Sequence, residues 1–79
     1  MKIIKGTILK VYHKKKGVFC GKAKRDFDTD KEEFYPIILN EPYLAGMNTE
    51  YFKGDDVECR DCLCKVEVIS LPKGDKNEL

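Results

Sequence analysis

Apolar and β-branched side chains fall in short runs along the chain, separated by polar turn-forming segments, and the first runs carry no 3.6-residue stripe. Ile3, Ile4, Thr7, Ile8, Leu9, Val11 and Tyr12 read as one long strand. His13, Lys14, Lys15, Lys16 and Gly17 make a loop. Val18 to Arg25 then returns as a second strand, in which Gly21 marks a bulge or a close backbone approach. Turn formers from Asp26 to Lys31 lead into a third strand, Phe34 to Leu39, where Pro36 cannot donate to a ladder and is expected at an edge or a bulge.

Between Asn40 and Phe52 the pattern changes. Tyr43, Met47 and Tyr51 are spaced four apart, behind a capping residue at Asn40 and a proline at Pro42, which predicts a short, imperfect helix. Gly46 weakens that helix, so an irregular loop competes with it. From Asp56 to Leu71 a second β run changes phase near Arg60 and Asp61: Val57 and Cys59 alternate before that point, and Cys62, Cys64, Val66 and Val68 after it. Such a slip means a bulge or a tight hairpin. Strand, strand, strand, helix or loop, strand, strand is the element order of a small five-stranded OB-like barrel, and an SH3-like barrel fits almost as well. The expected organisation is one β-barrel domain over residues 1–71 and a flexible polar tail over 72–79.

At 79 residues the chain holds one domain with little core to spare, so a disulfide, a metal, a partner subunit or very regular packing would help it persist. The first five residues are too short and interrupted for the apolar centre of a signal peptide, and no stretch reaches membrane-spanning length. The expected compartment is the cytoplasm. The closing Lys76, Asn77, Glu78 and Leu79 resemble a retrieval tag only faintly and are read as frayed tail.

Charge changes the picture more. The formal net charge is +1, yet residues 1–25 contain eight lysines and one arginine with no acid, and the acids all follow. Either the two parts neutralise each other on one surface, or the front hairpin is a contact surface. On the second reading Lys14, Lys15, Lys16, Lys22, Lys24, Arg25 and Arg60 would meet phosphates, with Tyr12 or Phe19 as stacking platforms for bases, as expected of a single-strand nucleic-acid binder. The rival is a protein-interaction or accessory module, anchored through Tyr43, Met47, Tyr51 and Phe52 or self-associating through an open strand edge.

The third alternative is a small zinc-stabilised domain. Cys59-x-x-Cys62 has the spacing for two thiolates on one ion, and Cys20 with Cys64 or His13 could complete a tetrahedron. Against it, Cys62, Cys64, Val66 and Val68 read as one apolar strand face, and a zinc ribbon normally has two separated knuckles. Asp26, Asp28 and Asp30 open like a calcium loop, but Lys31 and Ile37 stand where glycine and glutamate are needed. No catalytic constellation is present: there is one histidine, in a lysine loop, and Glu32 and Glu33 project to opposite faces if extended. The expectation is a non-catalytic binding module without a cofactor.

Overall fold

Two strands, β2 (Ile8–His13) and β3 (Gly17–Ala23), pair antiparallel from Ile8 opposite Lys22 to His13 opposite Gly17, and their alternation sets the two faces of the sheet. Leu9 and Val11 on β2, with Phe19 and Ala23 on β3, point inward and are buried. Lys10, Tyr12, Val18 and Lys22 lie on the outer face. The computed structural model describes residues 1–46 and 49–72, and among these it contains strands and no helix.

The remaining strands are β1 (Lys2–Ile3), β4 (Phe27–Asp28), β5 (Phe34–Leu39), β6 (Tyr43–Gly46), β7 (Thr49–Tyr51), β8 (Asp56–Arg60) and β9 (Cys64–Ser70). One antiparallel sheet has the order β8-β5-β3-β2-β9; β1 pairs with β4, and β6 with β7. The inner face of the large sheet carries the core, in which Leu9, Val11, Ile37 and Leu39 are essentially fully buried. Each such side chain contributes roughly 1.5–3 kcal/mol by leaving water.

The sheet has to curl. Laid flat, β8 and β9 would stand four strand spacings apart, about 19 Å. The four Cα steps from Arg60 to Cys64 reach at most about 14 Å. Curling does not complete a barrel, however: β8 and β9 are both edges and do not pair, which corrects the expectation of a barrel. The reason lies in the turn at 61–63. Leu63 N–H donates to Arg60 C=O, Leu63 C=O accepts from Lys14 N–H (2.8 Å), and Asp61 N–H donates to Glu33 C=O (2.8 Å). These groups are spent within the turn, on the loop after β2 and on the loop before β5, so no β8–β9 ladder starts from them.

The helix expected after Asn40 is instead a hairpin of β6 and β7, with Tyr43 opposite Tyr51 and their rings stacked at 6.1 Å. Met47 lies outside the described residues, as does the expected tail beyond Pro72. Pro36 is another correction, since β5 is an inner strand. Its C=O accepts from Lys24 N–H just past the last β3–β5 register pair, so the missing donor falls at the end of that ladder. At Gly21 the backbone approach is close, as expected: an added Cβ would lie 2.5 Å from Ile37 Cγ2. Among the described residues no helix is long and apolar enough to cross a membrane.

Candidate functional site

The lysine loop is short and fully tied. Gly17, with φ +88°, supplies the left-handed residue that closes a three-residue connection over Lys14, Lys15 and Lys16. Lys14 N–H goes to Leu63 C=O, while Lys15 and Lys16 N–H groups both donate to His13 Nδ1 at 3.0 and 3.1 Å. The Tyr43 hydroxyl donates to Lys16 C=O. All three lysine side chains remain exposed, and none is in an ion pair among the described residues. Partial burial, then the charges of Lys16 and Lys15, hold His13 below its ordinary value, which keeps Nδ1 available as an acceptor.

Beside this loop the outer sheet face presents Tyr12, which is 38% exposed. Its hydroxyl donates to Glu67 Oε1 at 2.6 Å, a bond that raises the Tyr12 pKa, and the Lys10 ammonium sits 5.5 Å from the ring centroid. Lys65 is the register partner of Tyr12 across β9, and Lys22 lies exposed one strand away on β3. Lys10 and Lys65 were missed by sequence reasoning. Lys10 was legible, because it shares strand parity with Tyr12; Lys65 needed the β2–β9 pairing, which no local pattern announces.

Four expected residues do not belong to this group. Phe19 is 5% exposed, its ring packed 4.6 Å from that of Tyr43, so it offers no face to a base. Lys24 pairs with Asp56 at 2.7 Å and Arg25 with Glu32 at 3.0 Å, so acids from later in the chain do fold over this end of the hairpin. Arg25 in turn holds the Glu32 carboxyl below its usual range. Arg60 sits on the far edge strand with its guanidinium 5.6 Å from the Phe34 ring centroid.

The cysteines are split between the faces. Cys59 and Cys64 are buried on the inner face, and burial pushes both thiols up, that of Cys59 strongly. Cys20 lies on the outer face opposite Lys10, and Cys62 is exposed in the turn rather than on the expected strand face. The sheet therefore separates Cys20 from the inner pair, and no group of three or more metal-ligating side chains converges among the described residues. A cleft of about 80 Å³ lies between the lysine loop and the β6–β7 hairpin, lined by His13, Lys16, Tyr43, Tyr51 and Cys59 among others. Compared with protein-family models, with curated proteins and with solved structures, the chain has no match in any of the three.

Proposed function

We propose that the chain is a non-catalytic binding module that takes single-stranded nucleic acid along the lysine loop and the outer face of the sheet. Phosphates meet Lys14, Lys15 and Lys16, with Lys10, Lys22 and Lys65 beside them, and a base stacks on Tyr12. The observation that carries this reading is the braced loop: its main-chain groups are satisfied by His13, Leu63 and Tyr43, which leaves three exposed ammonium groups on a fixed turn. The set is smaller than the sequence suggested, because Lys24 and Arg25 are neutralised. The sheet order, a four-strand meander with the fifth strand beside the first, favours the SH3-like alternative over a Greek key.

Titration of a labelled oligonucleotide against salt tests the proposal. Affinity falls as salt rises, and replacing Lys14, Lys15 and Lys16 with alanine flattens the slope of log K against log salt by about 2, at roughly 0.7 per phosphate contact on a single strand. An absence of binding at low salt rejects it. The second reading is a protein partner, supported by Leu44 at 67% and Phe52 at 58% exposure on and beside the β6–β7 hairpin.

A further inference from the structure

We infer that Cys59 and Cys64 are the two halves of a disulfide that forms across the turn between β8 and β9 when the chain meets a small-molecule disulfide. The inference does not rest on the nucleic-acid reading.

Of the four thiols only these two share a place. Both residues are 4% exposed and belong to the core on the inner face, whereas Cys20 lies on the outer face and Cys62 stands exposed in the turn. The turn sets their separation. Leu63 N–H donates to Arg60 C=O at 2.9 Å, which closes a four-residue turn and holds its end Cα atoms within about 7 Å. Cys59 and Cys64 are the residues just outside those ends, one on each strand, and both side chains turn inward. A disulfide needs Cα atoms about 4.4–6.8 Å apart and β-carbons that converge. The convergence shows in how the side chains act on each other: Cys64 adds to the rise that burial imposes on Cys59, and Cys59 offsets part of the rise at Cys64. Both also act on the Tyr43 hydroxyl. Cys59-x-x-Cys62, the pair that spacing alone suggests, would have to draw an exposed turn residue into the core or Cys59 out of it.

The pair sits at a seam. Cys59 lines the cleft beside the lysine loop, and Cys64 lines a second cleft of about 340 Å³ walled by Met1, Asp30, Tyr35 and Asp61, so a cleft leads to each residue from its own side. In the reaction Cys64 gives up its proton and attacks one sulfur of the small disulfide, which forms a mixed disulfide and releases one small thiol. Cys59, deprotonated in its turn, attacks Cys64 Sγ, forms the Cys59–Cys64 bond and expels the second small thiol. Two electrons and two protons pass from the pair to the reagent, which ends as two thiols. Cys64 attacks first because burial raises Cys59 strongly and the thiolate is the attacking form. Burial keeps both thiolates scarce, so the bond forms slowly and is read at equilibrium. Once formed, it ties β8 to β9 where no main-chain ladder does, and it fixes the turn whose Leu63 C=O holds Lys14.

Mass spectrometry of the full chain tests the bond. The protein is held in mixtures of oxidised and reduced glutathione at about pH 8 until its composition stops changing, quenched with acid, and alkylated under denaturing conditions. Under oxidising mixtures two alkyl groups are expected, on Cys20 and Cys62, in place of the four of the reduced chain. Trypsin cuts after Lys53, Arg60 and Lys65, so the bond joins peptide 54–60 to peptide 61–65, with Cys62 alkylated. Cys62→Ser changes only an exposed turn residue and should give the same joined peptides at a glutathione ratio within about twofold of the parent's. Four alkyl groups at every ratio overturn the inference. Glutathione adducts that never resolve into the joined peptides overturn it too, as does a joined pair that disappears in Cys62→Ser.

Discussion

A β-carbon at Gly21 would lie 2.5 Å from Ile37 Cγ2 and 2.7 Å from Ile38 C=O, and the second neighbour is backbone that cannot rotate aside. Gly21→Ala should therefore cost about 1–3 kcal/mol, seen as a lower urea midpoint at unchanged slope. An unchanged midpoint would mean that β3 and β5 can separate without loss. This constraint was readable, because a glycine interrupting a β run signals close approach. Phe19 was misread although its position contained the answer. It shares strand parity with Gly21 and Ala23, the inward set, whereas Lys22 and Lys24 have the opposite parity. Nearness to lysines along the chain is not nearness in space, because the pleat separates the two.

At the scale of elements, strands with plain alternation were legible and the segment after Asn40 was not. A spacing of four satisfies a helix and also the even period of a hairpin, so Tyr43 and Tyr51 fit either. Pairing across the turn decided it: the two tyrosines face each other, and Tyr43 also packs on Phe19. The hairpin thereby braces the lysine loop, through the Tyr43 hydroxyl on Lys16 C=O. Tyr43→Phe keeps the ring packing and removes that bond. The expected result is faster amide hydrogen exchange at Lys15 and Lys16, with Leu9 and Val11 in the sheet unchanged. Unaltered exchange in the loop would show that His13 and Leu63 hold it without Tyr43. The phase slip at Arg60 and Asp61 marks the break between two strands, but it is neither the bulge nor the tight hairpin the pattern predicts, since β8 and β9 do not pair and the turn's main-chain groups go to Lys14 and Glu33.

For the whole molecule, the strand order was beyond reach of local pattern, because alternation says that a strand exists and not which neighbour it takes. The charge asymmetry was legible, and the structure divides it: one end of the hairpin is neutralised by Asp56 and Glu32, the other is left open. Titration of the fold follows from the same groups. His13 is held below its ordinary 6.5, so as pH falls through 6.5 the unfolded chain takes up the proton first and stability drops, with the loss complete below the folded value. Glu32 is lowered from 4.5 by Arg25, and Asp28 from 3.8 chiefly by the Asp30 N–H. Their contributions are present above those values and disappear as pH falls further. On the alkaline side Cys59 and Cys64 are raised from 9.0 by burial, so the unfolded thiols ionise first and stability declines above that pH. The Met1 ammonium, raised from 8.0 chiefly by Asp30, adds to the alkaline loss, so thermal melts should show a plateau between about pH 7 and 8 with two acid steps and an alkaline fall. His13→Ala should remove the first acid step and leave the second, since the second belongs to Asp28 and Glu32, which lie outside the five-stranded sheet. A step near 6.5 that persists in the variant would place the titrating group outside the lysine loop, and with it the reason the loop is rigid at neutral pH.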